Sequence, residues 1–167
     1  MTLLPLPLPR RDPARLAQLR RLMVLDSSPE VAYDDITRLL AVSLEVPIAL
    51  VNLLDAERDW FKSVRGLPYT ESAITTSFCE TFFQHQRPLM VVPDTAADPA
   101  FAQHPLVAGE PHVRFYAAAR LQVHGHTVGT LCAYDFRPHQ LDAERMAHIT
   151  ALAQAAVDLL MRRNSVD

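Results

Sequence analysis

Residues 113–134 constrain this chain more than any other stretch. Val113, Phe115, Ala117, Ala119, Leu121 and Val123 alternate with Arg114, Tyr116, Ala118, Arg120 and Gln122. That is the period of a strand with two different faces. His124-Gly125 follows as a tight hairpin turn. Residues 126–134 then return with Val128, Thr130, Cys132 and Tyr134 on one face. An isolated hairpin is marginal in water, so its apolar face requires a covering layer.

The rest of the chain supplies that layer. Asp12-Pro13 is a helix start, with an N-cap acceptor and proline at the first helical position. Leu16, Leu19 and Leu22-Met23 recur at helical spacing behind it, which predicts a helix to about Leu25. Ser28-Pro29 repeats the signal for a second helix, with Ile36, Leu39-Leu40 and Leu44 as its stripe and Pro47 as its stop. Asp142 caps a last helix striped by Met146, Ile149, Leu152-Ala153, Ala156 and Leu159-Leu160. Between them, residues 48–54 read as a buried central strand, 60–64 as its hairpin partner and 89–92 as a short strand. Trp60 and Phe61 point to opposite faces of the second of these. Residues 68–76 and 93–111 read as loops, the second long enough to be functional. Ser77 and Glu80 fit a capping box that opens a short helix to about His85. Adjacent strands flanked by helices make an α+β fold with an antiparallel sheet.

A chain of 167 residues fits one domain and buries roughly 70% of its unfolded surface without disulfide or metal. Residues 1–11 read as a flexible Pro-rich tail, 12–163 as the single domain and 164–167 as a second tail. The N-terminal run MTLLPLPLPRR lacks a basic leader and is interrupted by prolines, unlike a signal peptide. A net charge of −3 and scattered arginines show no basic footprint for nucleic acid. No run approaches the ~20 apolar residues that span a bilayer, so the expectation is a cytoplasmic protein with no membrane partner. Two cysteines, Cys79 and Cys132, are too few for a disulfide framework.

Several short stretches, taken in order, resemble the GAF family over about residues 15–162. They begin with Leu25-Asp26 and Pro47-Ile-Ala-Leu-Val51, followed by Asp55-x-x-Arg58-x-Trp60-Phe61-Lys62-Ser63 and Gly66-Leu67. Ser77-Phe78-Cys79, Val92-Pro93-Asp94, Asp98-Pro99-x-Phe101 and Pro105-Leu106-Val107 come next. Arg114-Phe115-Tyr116-Ala117 and Gly129-Thr130-Leu131-Cys132-x-x-Asp135 close the set. The chain looks most like the bacterial subgroup found beside histidine kinases and diguanylate cyclases. The resemblance implies a sheet of five or six antiparallel strands with the N- and C-terminal helices on one face. The short helix and long loop would then cover a small-molecule pocket on the other. It further implies a signalling sensor, often a homodimer through its terminal helices. No output domain accompanies the 167 residues, so the expected action is in trans, on a partner such as a histidine kinase or diguanylate cyclase. The chain departs from the subgroup at Ala100, Ala118 and Arg120, where Arg, Gly and Pro are usual. The cyclic-nucleotide signature and the bilin-attaching cysteine of other GAF groups are not found.

The candidate ligand-binding residues are Cys79, Phe82, Asp94, Asp98, Phe101, Arg114, Tyr116, Cys132 and Tyr134. Cys79 in a first helical turn would gain acidity from the helix dipole, against which stands a small buried hydrophobe beside Phe78. Arg114 is either an anion hook in the pocket or an ion-pair partner of Asp94 or Asp98 that pins the loop. Asp55 and Arg58 read as a turn with a surface ion pair, and His124 and His126 as turn histidines. No catalytic, metal-binding or cofactor motif is present, so the expectation is a binding module and not an enzyme. Two alternatives stay open: a thiol redox sensor or enzyme using Cys79 and Cys132, and a dimerisation module whose pocket is filled by Arg120 and Phe82-Phe83.

Overall fold

The computed structural model describes residues 9–165, so most of the expected N-terminal tail and the last two residues lie outside the described residues. Helix α1 spans Pro13–Arg21, with Asp12 accepting from the amides of Ala14 and Arg15. It stops before Leu25 because Met23 adopts a positive φ of 54° and turns the chain. Helix α2 spans Val31–Leu44 and ends on Glu45 in the left-handed region. Its start lies beyond Ser28-Pro29. Ser28 gives its carbonyl to the Lys62 ammonium and is not a cap. Helix α3 is one turn, Pro105–Ala108, and α4 runs Ala143–Ser165 behind the Asp142 cap on Arg145. The final helix thus continues into the expected second tail, and Arg163 ties its end to the carbonyls of Leu22 and Met23.

Six strands form one antiparallel sheet: β1 Ile48–Leu54, β2 Arg58–Arg65, β3 Glu71–Ala73, β4 Leu89–Val92, β5 Phe115–Val123 and β6 His126–Asp135. Their order is β3-β2-β1-β6-β5-β4. The expected loop 68–76 therefore contains an edge strand, too short and polar to show an alternating pattern. The loop 93–111 contains a 3-10 turn at Thr95–Ala97 and α3. Gly129 lies where β6 crosses close to β1, since a Cβ there would meet the Asn52 carbonyl oxygen at 2.2 Å.

Two bulges redirect side chains. Val51 pairs with Ser63 and Asn52 with Phe61, which leaves Lys62 as the extra residue. Leu121 pairs with Gly129 and Gln122 with Thr127, so Val128 is extra. Val128 consequently packs with the helices and not with Thr130, Cys132 and Tyr134 as the alternation predicts. Val113 lies before β5 begins and joins the opposite layer from Phe115.

The sheet is buried on both faces. On one, α1, α2 and α4 cover Val51, Leu53, Trp60, Phe115 and Leu131. On the other, the 3-10 helix Phe78–Phe83 and the 93–111 segment cover Leu50, Phe61, Tyr116, Cys132 and Tyr134. Trp60 and Phe61 do take opposite faces, and both are buried. Leu19, Leu22 and Leu160 of the terminal helices are fully buried in the core and are not available to a partner helix.

Candidate functional site

A cavity of about 330 Å³ opens on the non-helical face of the sheet. Its walls are Leu50 of β1, Phe61 of β2, Tyr134 of β6, Phe78 of the 3-10 helix and Leu106 of α3. Tyr69, Glu71, Ser72 and Thr76 stand around its rim, and Asn52, Asp59 and Ser77 supply polar groups within. The register explains the set. Asn52 faces Phe61 across β1–β2, and Asp59 lies two residues away on the same face.

Asp59 is 2% exposed, and a buried carboxylate requires compensation. Ser77 donates its hydroxyl to Oδ2, Asn52 donates Nδ2 to Oδ2 at 3.1 Å, and Arg10 pairs with Oδ1 at 3.0 Å. Arg10 also donates to the Asp55 carbonyl and to Glu80, at 2.8 Å each. Assigned to the tail from sequence, Arg10 is in fact 5% exposed, because the buried charge of Asp59 draws it in. The same contact undoes the capping box. Ser77 accepts from the amide of Cys79, while Glu80 turns to Arg10. Arg15 is fully buried beside Arg10 and holds the carbonyls of Arg10 and Thr127. Burial, reinforced by Arg10, lowers its pKa to about 10. Both guanidiniums lie over the Phe83 ring. The N-terminal segment thus joins the cavity wall to α1.

Asn52 is 1% exposed, and its Oδ1 has no hydrogen-bond partner among the described residues. Its orientation is fixed, because only the amide nitrogen can donate to Asp59. A residue that lines the cavity therefore carries one unpaired carbonyl acceptor.

Behind the cavity Phe78 stacks on His104, with ring centroids 4.0 Å apart, and on Tyr116. Cys79 Sγ lies 3.2 Å from Cys132 Sγ, 3.0 Å from Thr130 Oγ1 and 3.2 Å from the Tyr116 hydroxyl. Burial opposes a Cys79 thiolate, but hydrogen bonds from Cys132, Thr130 and Tyr116 hold its pKa below the ordinary value. Burial and the neighbouring Cys79 push Cys132 well above it. Both cysteines are fully buried, so the pair has no open face to solvent.

Of the nine residues singled out from sequence, Cys79, Phe82, Phe101, Tyr116, Cys132 and Tyr134 share this layer, and Tyr134 lines the cavity. The other three stand apart. Arg114 donates to the carbonyls of Val107 and Val113, so it pins the loop through backbone and not through an ion pair. Asp94 and Asp98 cap the amides of Ala96 and Ala100. Arg120 leaves the cavity free by reaching the carbonyls of Phe82 and His85, where it closes the end of the 3-10 helix. Asp55 and Arg58 do pair, and Arg58 also binds Asp26 and Glu71. Asn52, Asp59 and Ser77 were missed as site residues. The available signal was a lone polar residue inside the apolar run of β1.

The GAF domain model of the protein families matches residues 28–159. The chain belongs to the GAF domain family. Similar to this GAF chain is a cyclic di-GMP phosphodiesterase of Pseudomonas aeruginosa, 31% identical over 166 residues. That match covers 96% of the chain but only 28% of the phosphodiesterase. Among solved structures, the GAF domain of an Acinetobacter phosphoenolpyruvate-protein phosphotransferase superposes with a TM-score of 0.65 at 15% identity, covering 93% of this chain and 98% of that one. A free methionine-R-sulfoxide reductase of Neisseria meningitidis, in complex with its substrate, gives a TM-score of 0.63 at 19% identity, covering 90% and 88%. At these identities the structural likeness concerns the fold. Among the described residues, no group of three or more His, Cys, Asp or Glu is placed to hold a metal, and no helix is long and apolar enough to cross a membrane.

Proposed function

We propose that this GAF chain is a cytoplasmic sensory module that binds a small molecule in the sheet-face cavity and does not transform it. The observation that carries the reading is the sheet-face cavity lined by Asn52, whose buried Oδ1 is unpartnered among the described residues, beside the Asp59 hub. Neither Phe82 nor Arg120 lines that cavity, which favours a ligand site over a self-filled one. Asp59 shares Arg10 with the N-terminal segment, so a change at the cavity wall acts on α1 and the helical layer. The output is a signalling activity of the histidine kinase, diguanylate cyclase or phosphodiesterase kind. The similarity to the Pseudomonas phosphodiesterase supports that class.

A metabolite screen by thermal shift tests the reading. A ligand at 100-fold its Kd stabilises the fold by about 2.7 kcal/mol, and the compound is expected back unchanged after incubation. A broad screen with no stabilising compound, or turnover of the compound that binds, defeats the proposal.

The 3.2 Å approach of Cys79 to Cys132 favours a second reading, a thiol redox sensor. Hydrogen peroxide would join the two sulfurs in a disulfide and be reduced to two waters. Thiol titration of the native protein decides it: if neither thiol reacts before denaturation, the redox reading is dead.

A further inference from the structure

We propose that the cavity takes a small, flat molecule, uncharged or cationic, that presents an N–H donor: an amide, an amidine or an amino-heteroaromatic. Asn52 Oδ1 is the acceptor that reads it. This rests on the cavity being a ligand site and names the chemical class the site selects.

Three features lead there. The first is the acceptor. Asn52 is 1% exposed, and its Oδ1 is unpartnered among the described residues. A buried polar atom without a partner is destabilising, and a ligand N–H that reaches it removes that penalty. Asp59 is largely engaged already, since Oδ2 receives Asn52 and Ser77 and Oδ1 receives Arg10. The second is charge. The residues lining the cavity include Asp59 and Glu71 and no Lys, Arg or His. A phosphate or carboxylate would enter without a counter-ion, and Arg10 is already committed to Asp59 and Glu80. The third is shape. Phe61, Phe78 and Tyr134 line it with aromatic side chains, which suit a flat π-system. The volume, about 330 Å³, lies at the small end of ligand pockets.

Matched probes separate these features. Benzamide and benzamidine carry the N–H donor, methyl benzoate replaces it with an ester, and benzoate replaces it with an anion. Adenine serves as an amino-heteroaromatic. Each is titrated into the unmodified chain by calorimetry and by protein-observed NMR. The expected result is binding of at least one donor probe, with shifts at the amides of β1 and β2. Methyl benzoate and benzoate bind at least tenfold more weakly. Asn52→Leu is expected to erase the preference for benzamide over methyl benzoate. If that variant fails to fold, the matched probes on the unmodified chain still decide. Leu50→Phe, which fills the cavity, should weaken all probes. Benzoate binding as tightly as benzamidine overturns the class and leaves the sensory reading standing. Binding by none of the probes also overturns it, and the metabolite screen then decides the sensory reading separately.

Discussion

Asp59 sets the strictest condition at the level of single residues. Its charge sits 2% exposed and is balanced by Arg10 from the far end of the chain. Removing one partner of a buried pair costs about 3–5 kcal/mol, because the other is left uncompensated. Arg10→Met is therefore expected to lower stability by that amount in urea unfolding, and the double variant R10M/D59N to recover most of the loss. Gly129 is a second such position. Ala there would press its methyl 2.2 Å from the Asn52 carbonyl oxygen, and relief by shifting β6 from β1 is expected to cost about 1–3 kcal/mol. His104 supplies a pH dependence. Burial lowers its pKa below the ordinary 6.5, as it does for His85. The unfolded chain then binds the proton first, so the contribution is whole above about 6.5 and declines as pH falls below it. His104→Asn should flatten the slope of stability between neutral and mildly acid pH, read by urea titration.

At the scale of elements, the bulge at Lys62 helps to fasten α2. Glu30 begins that helix without a side-chain cap. The bulge instead aims the Lys62 ammonium at the Ser27 hydroxyl, the Ser28 carbonyl and Glu30. Glu30 also binds Arg163 at the end of α4. One carboxylate thus joins β2, α2 and α4. The hydrogen bond from Lys62 holds Glu30 below the ordinary glutamate pKa of 4.5. Its contribution is complete above that value and is lost as pH falls through the lowered one. Glu30→Gln is expected to make the acid limb of the stability curve shallower. Half-exposure of Glu30 keeps the effect modest.

For the whole molecule, the helical layer presents an apolar outer surface. Leu39 and Val42 of α2 are 45% and 68% exposed and flank a groove against α4, beside Leu152. We propose that a second copy packs there to form a homodimer. Sedimentation is expected to give twice the 18.7 kDa chain mass, and Val42→Glu to return it to the monomer. A wild-type monomer at micromolar concentration would rule the dimer out.

Periodicity and turn chemistry by themselves determined the α+β class, both hairpins and the three main helices, because those features repeat locally, and the family resemblance implied the face that the terminal helices cover. The alternation in β5 and the stripes of α2 and α4 are read residue by residue. The cavity was not legible in that way. It depends on two bulges that send Lys62 and Val128 off the alternating pattern, and on a register that sets Asn52 beside Asp59. It depends equally on Arg10, which lies 49 positions from Asp59 and is drawn in by a buried charge. Arg114, Asp94 and Asp98 show the converse, since residue types that attract each other in sequence found nearer backbone partners. Local propensity fixes which strands and helices form. Which polar atoms remain unpaired in a pocket follows from long-range pairing, and only the tertiary structure decides it.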